Sequence, residues 1–303
     1  MLLQLPLSRV SLAPLMARST GSADLRVGLV DGPVVVSHQG FDGARIERLR
    51  PHDVAGPDAD DVAAVHATSV AGVLVADRES GAPGISSGVT LVTRSIFPRS
   101  GVGSAGTATW RELSDALVEL TDAGVRVVNM SLSLPTGASE QHRWVQDALD
   151  HAAARGVIVV AAAGNDGSVD GTVVTRHRAV VPVVSYDRQG LPGRTTNIGR
   201  SIGQRGVGVV TDGLLSLGPH GSVRPFGGTS AAAAVVTGAV ALLWSELPHT
   251  APEELISALK GHPSRRTTVV PPLMNAWRAF ESLHGQRSRQ PPGLRHRPRE
   301  VRR

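Results

Sequence analysis

Four residues in this 303-residue chain have the types and settings that acyl-transfer chemistry needs: Asp31, His66, Asn165 and Ser230. A hydroxyl becomes a nucleophile near neutral pH only when a base takes its proton and a third group orients that base. Asp31 closes the apolar run LRVGLVD, His66 lies in VHATSVAG, and Ser230 lies in GGTSAAAA. Asn165, in VIVVAAAGNDG, is a neutral donor suited to a developing oxyanion. Each has a blander reading on its own. Thr229 or Ser230 could be a helix N-cap, His66 a surface or cap residue, and Asp31 and Asn165 turn residues. Their joint occurrence, each where an element begins or ends, favours a serine peptidase over four separate coincidences.

Such side chains need a scaffold that brings distant segments together. Short apolar runs of the buried-strand type occur at 25–31, 89–95, 125–133 and 157–163. Helical patterns lie between them, in SVAGVLVADR after His66, at 109–123 and at 139–156, with Gly124 and Gly156 stopping the last two. Strand–helix alternation with short connections predicts a mainly parallel sheet with helices on both faces, a three-layer α/β/α fold. Sites in such sheets form beyond the carboxyl ends of the strands, where Asp31 and Asn165 fall. From Ser230 to Trp244 the chain is apolar almost all round, which predicts a buried central helix after a turn at Gly227 and Gly228. A serine at its start sits at the positive end of the helix dipole, with its own N–H free to meet an oxyanion.

Composition limits the alternatives. Hydrophobic residues make up 41% of the chain, enough for one large buried core, and there is no cysteine for disulfides or thiolate metal sites. The formal charge of +5 is concentrated in GQRSRQPPGLRHRPREVRR, which lacks apolar periodicity and interleaved aromatics. It reads as a solvated, disordered tail rather than a nucleic-acid arm. The N-terminal MLLQLPLSRVSLAPLMARSTG is a poor signal peptide because Pro6, Arg9 and Pro14 interrupt it, and no run reaches the apolar length of a membrane span. The expectation is a cytoplasmic protein that engages neither membrane nor nucleic acid. Its domains are a lead-in segment at 1–24, a catalytic domain at 25–282 and a basic tail at 283–303.

The segments VGLVDGP, HATSVAGVLVA, VVNMSLS, VVAAAGNDG and GGTSAAAAVVTGAVALL resemble, in order, the signatures of the subtilisin-like serine proteases. The resemblance runs collinearly from about Leu25 to Phe280 and implies the subtilisin-like α/β fold. It extends to the closing helices, where Thr250 and Glu253 suggest a capping box and MNAWRAF resembles the family's final helix. It implies Ser230 as nucleophile, His66 as general base and then acid, and Asp31 as the group orienting His66. Asn165 and the Ser230 N–H would form the oxyanion hole. Ser131, Leu132 and Ser133 would pair with substrate backbone, Gly101 and Gly103 would flank its other side, and Ala162, Ala163 and Gly164 would wall the specificity pocket. The substrate is then a peptide or protein, and no cofactor is implied. The short loop ADRESGAPGISSGV offers few carboxylates for the family's calcium, so no metal is expected, and the acidic cluster at Asp58, Asp60 and Asp61 reads as a solvated loop.

Several departures bear on pocket shape and activity level. Gly32 follows the aspartate where the family usually has Ser or Thr. His66-Ala67-Thr68-Ser69 replaces His-Gly-Thr-His, Ala233 and Ala234 occupy the stretch that usually carries a proline, and Ser133 stands where a glycine is common. DGPVVVSHQGFDGARIERL further resembles the opening of subtilase domains that mature cyanobactin-type ribosomal peptides. The lead-in APLMARSTGSADLRVGLVDG fits a short helix and leaves no room for a folded prodomain. That resemblance implies a precursor peptide as substrate. Two other functions compete. GVGSAG matches a dinucleotide-binding G-x-G-x-x-G, but the next strand pattern ends in Asn129 and Ser131 without the acidic residue that would support it. A catalytically silent subtilase fold serving as a binding module is the other. Around Thr175–His177, Arg176 suggests a preference for an acidic or polar residue before the cut.

Overall fold

The computed structural model describes residues 5–50, 60–97, 108–132, 142–261 and 268–289. Its centre is a seven-stranded sheet in the order β2-β3-β1-β4-β5-β6-β7, every pair parallel. The strands are β1 (Arg26–Asp31), β2 (Arg45–Arg48), β3 (Thr90–Ser95), β4 (Val127–Met130), β5 (Ile158–Ala162), β6 (Val180–Tyr186) and β7 (Val207–Val210). Parallel strands covered on both faces read as continuous apolar runs, and β1, β3, β4 and β5 fall inside the four runs seen in the sequence. The other three gave weaker signals. β2 is an edge strand of alternating exposure with the sequence RIER. β6 contains Pro182, whose missing N–H is tolerated because pairing with β7 begins only at Val183. β7 is a run of only four residues.

Chain order reverses at β1. Helix α3 (Val62–Val75) links β2 to β3, and α4 (Trp110–Asp122) links β3 to β4. Val27 and Leu29 of β1 pack in the cluster that holds α3 and the long α8 (Gly228–Glu246), whereas Val30 packs with α4 and α5 (His142–Ala154). Helices α3 and α4, which flank β3 in the chain, therefore lie on opposite faces. The carboxyl end of β1 opens at the point where strand order reverses, where such sheets bind ligands.

Residues 231–244 of α8 are all buried, and the small side chains of Ala231–Ala234 let its first turns lie close to the sheet. By length and composition this helix could cross a membrane, which corrects the expectation that no run was long enough; 83% of its most apolar stretch lies inside the fold. It is a core helix.

The lead-in segment forms two short helices, α1 (Leu5–Arg9) and α2 (Ala13–Arg18), with Leu7, Val10, Leu12 and Leu15 fully buried in the main core. Backbone bonds from Ala276 N–H to the Val10 carbonyl (2.9 Å) and from Trp277 N–H to Ser11 (3.2 Å) join it to the last helix, α10 (Ala276–Arg289). That helix runs past the boundary drawn at 282, so residues 283–289 continue it rather than open the tail. The cap of α9 (Pro252–Lys260) also falls one residue later than the sequence suggested. Pro252 occupies the first helical turn, so Ala251 is the N-cap and its N–H meets Glu254 Oε2 at 3.4 Å. Thr250 instead gives its carbonyl to the buried Trp244 indole N–H at 2.9 Å.

The turn after β1 fixes where α3 begins. A Cβ on Gly32 would lie 2.3 Å from the Ala63 carbonyl oxygen and 2.9 Å from the Ala63 Cβ, so only glycine lets the helix start this close to the strand end. Gly32→Ala is expected to cost roughly 1–3 kcal/mol of overpacking strain, read as a lowered midpoint in urea or thermal unfolding; an unchanged midpoint would refute the close contact.

Candidate active site

Asp31 ends β1 with 1% of its surface exposed. Its Oδ1 accepts the Gly32 N–H at 2.8 Å and faces His66 Nδ1 at 2.9 Å. An ionised carboxylate only accepts, so Nδ1 carries the proton and Nε2 is left with a lone pair. His66 reaches this position from the start of α3, where Asp61 caps Ala63 N–H (2.8 Å) and Ala64 N–H (3.2 Å). Its side chain is 32% exposed. Burial works against charge on the imidazole, and Arg224 repels it. The charge and hydrogen bond of Asp31 outweigh both, so its pKa is raised above the ordinary value.

A wall for His66 comes from the hairpin of β8 (Leu215–Leu217) and β9 (Val223–Pro225). Ser69 Oγ donates to the Leu217 carbonyl at 2.7 Å, and Ser216 Oγ donates to the Ser69 carbonyl at 2.6 Å, tying that hairpin to α3. Phe226, just after β9, then meets the His66 ring edge to face, with centroids 5.8 Å apart. Ser69, which departs from the family pattern, is fully buried in this structural role.

Ser230 stands in the first turn of α8, after N-cap Gly227. Its hydroxyl donates to the Ser131 carbonyl at 3.4 Å, and among the described residues no hydrogen bond joins it to His66. Behind it runs a buried polar chain that sequence reasoning missed. Thr237 Oγ1 donates to Asn129 Oδ1 at 3.1 Å, Asn129 Nδ2 to Ser131 Oγ at 2.8 Å, and Ser131 Oγ to the Ser230 carbonyl at 3.1 Å. The chain locks the start of α8 to the end of β4. Its only sequence trace is an asparagine and a threonine inside apolar runs, a signal without a visible partner.

Asn165 follows β5 and meets the same helix start. Thr229 N–H donates to its Oδ1 at 3.1 Å, and Gly164 N–H returns a bond to Thr229 Oγ1 at 3.3 Å. With the amide oxygen held this way, Nδ2 is the face of Asn165 left to donate. The approach requires Gly228, whose φ is +74° and whose added Cβ would lie 3.1 Å from Asn165 Oδ1. Asn197, also unforeseen, braces the loop, accepting from Asp166 N–H (2.9 Å) and Ser168 N–H (3.0 Å).

Ala162, Ala163 and Gly164 line a cavity of about 1160 Å³, together with Leu132, Asp166 and Arg176. Arg176 is engaged by Asp170, which also lines the cavity, so its charge is not free there and the suggested taste for acidic residues loses its basis. Gly101, Gly103, Ser133 and Asp58 lie outside the described residues. Among the described residues no group of three or more His, Asp or Glu side chains could hold a metal ion.

A family model described as the subtilase family, Peptidase_S8, matches residues 22–269. The chain belongs to the subtilase family. It is a serine-type peptidase, a hydrolase acting on peptide or protein substrates. Subtilisin DY of Bacillus licheniformis is 28% identical over 241 residues, which cover 77% of this chain and 81% of that one. The thermophilic serine proteinase of a Bacillus species (strain AK1) is 29% identical over 227 residues, 75% of this chain and 53% of the relative. Among solved structures, a point mutant of the protease domain of PatA superposes with a TM-score of 0.78 at 27% identity, covering 88% of this chain and 97% of that one. Prenylagaramide maturation protease PagA follows with a TM-score of 0.77 at 24% identity, covering 90% and 98%, a likeness of fold.

Thr237→Val in this subtilase should leave Asn129 Oδ1 buried without a donor. The expected cost is roughly 1–3 kcal/mol of stability, with turnover reduced because the start of α8 loosens. Denaturant unfolding and peptide hydrolysis measured side by side check it, and wild-type values in both would remove the chain's importance.

Proposed function

We propose that this subtilase is an endopeptidase that cuts a ribosomally made precursor peptide through an acyl-enzyme on Ser230. The observation that carries the catalytic assignment is the 2.9 Å contact between Asp31 and His66 Nδ1, which leaves the Nε2 lone pair free on a ring that meets Phe226, two residues before α8. The substrate strand lies along Ser131–Leu132, with Ala162–Gly164 opposite, gaining main-chain hydrogen bonds as an added strand does. On substrate binding, Ser230 Oγ turns from the Ser131 carbonyl towards His66; catalytic hydrogen bonds often tighten only in the complex.

His66 Nε2 takes the hydroxyl proton as Oγ attacks the scissile carbonyl carbon. The carbonyl oxygen becomes an oxyanion that accepts from the Ser230 N–H and Asn165 Nδ2. Asp31 stays ionised and faces the imidazolium. His66 then gives its proton to the leaving amine, which departs and leaves the acyl-enzyme. Water, deprotonated by the same imidazole, repeats the addition and releases the acid. The precursor-peptide substrate is supported by the 27% identity to the patellamide maturation protease PatA, whose chain is covered over 98% of its length.

A fluorophosphonate probe is expected to label Ser230, with labelling lost in Ser230→Ala and His66→Ala. Folded wild-type protein that takes no label would instead indicate a silent scaffold. Asn165→Ala should lower turnover on the order of 10²–10³-fold, a magnitude that subtilisin itself established. Because the neutral imidazole is the base and its pKa is raised, kcat/KM should fall on the acid side with a midpoint above about 6.5. A pH–rate profile with a lower midpoint would contradict the arrangement at His66. Incubation with leader-bearing precursor peptides and mass spectrometry of the products tests the substrate; cleavage of unrelated peptides at equal kcat/KM would reject it.

A further inference from the structure

The second carboxylate oxygen of Asp31 is unaccounted for. Oδ1 has both Gly32 N–H and His66, but Oδ2 is buried with no hydrogen-bond partner among the described residues. A buried charged oxygen left unpaired is costly. Gly32 cannot supply a donor: its N–H is spent on Oδ1, and the Ala63 carbonyl occupies the space any side chain there would need.

One strand away, Ser95 Oγ is likewise buried and, among the described residues, has no hydrogen-bond partner. Asp31 and Ser95 are paired Cα positions at the ends of adjacent parallel strands, and neighbouring strands lie about 4.8 Å apart. Both side chains face the same side of the sheet. Val27 and Leu29 alternate with Asp31 towards the α3 and α8 layer, and Leu91 alternates with Ser95 in the same way. Val30 of β1 and Val92 and Ile96 of β3 pack on the opposite layer. Two orphaned polar groups, one an acceptor and one able to donate, thus share a register position and a face.

We propose that Ser95 is a positioning residue for the catalytic aspartate: its hydroxyl donates to Asp31 Oδ2 and fixes the carboxylate plane against His66. A change of side-chain rotamer at Ser95 swings Oγ towards β1 with no backbone movement. The charged groups around the pair are Asp31 from β1, His66 from α3 and Arg224 from β9. Arg94, beside Ser95, is held by Glu119 at 2.9 Å through its Nε, on the α4 side of the sheet. The inference rests on the reading of Asp31 as the group that orients His66.

The test compares Ser95→Ala and Ser95→Thr with the wild type by NMR titration of the His66 ring and by steady-state kinetics. Without the hydroxyl, the Asp31 charge is less satisfied and pulls harder on the imidazolium, so Ser95→Ala should move the His66 pKa further up. It should also lower kcat on the order of tenfold at unchanged KM. Ser95→Thr should return both towards wild type. A His66 titration that coincides in wild type and Ser95→Ala overturns the proposal, even if kcat falls, because loosened packing alone would lower rate without moving that titration. Repeating the titration in a Ser230→Ala background separates this from the peptidase reading, since the Ser95–Asp31 link is then read without any turnover. A crystal structure of the unaltered protein decides the matter if Ser95→Ala does not fold. An Oγ–Oδ2 distance of about 2.5–3.0 Å supports the bond, and an Oγ turned elsewhere overturns it.

Discussion

A single hydrogen bond, His66 to Asp31, joins the end of the central strand to the start of a helix on one face of the sheet. Much of the surrounding geometry exists to keep those two ends within bonding reach. Strand order reverses at β1, so its carboxyl end opens onto a crevice rather than running under a helix. The absence of a side chain at Gly32 lets α3 begin against the strand end, and the cap from Asp61 fixes its first turn. With the carboxylate buried and the imidazole partly exposed, the aspartate favours charge on the ring while the lone pair of Nε2 stays accessible. The proposed role of His66 as general base needs both.

The hydroxyl side of the site is assembled independently. Helix α8 is held at its start by two sets of polar contacts, one to β4 through Asn129 and Ser131 and one to the turn after β5 through Thr229 and Asn165. Strands β4 and β5 are neighbours on one side of β1. Ser230 is therefore placed by the same sheet that places Asp31, through a separate group of bonds. The polar chain lies inside an almost wholly apolar helix–sheet contact, where unmade hydrogen bonds are expensive and only one arrangement satisfies every member. The small side chains of Ala231–Ala234 contribute by letting that helix approach the strands.

The departures from the family pattern have physical counterparts. Gly32 removes a hydroxyl from the aspartate but permits the close approach of α3 to the end of β1. Ser69 replaces a histidine and ties α3 to the hairpin that supports Phe226. Arg176 lines the large cavity, yet Asp170 engages it.

The sequence by itself determined the layer architecture, the four central buried strands and the buried helix after Ser230, because apolar periodicity records which faces are covered. It also singled out Asp31, His66, Asn165 and Ser230 as candidates from their local context, although the helix expected after His66 begins at Val62 and places His66 one turn inside it. Edge strand β2 and the Pro-bearing β6 escaped because exposure and a proline blur periodicity, and the cap of α9 moved by one residue because Pro252 took the first turn. Only the tertiary structure decided which polar residues meet. The pairing of Thr237 with Asn129, of Thr229 with Asn165, and the shared register of Asp31 with Ser95 join segments far apart in the chain. Local pattern carries no information about such partners, because burial and strand order, set by the whole fold, choose them.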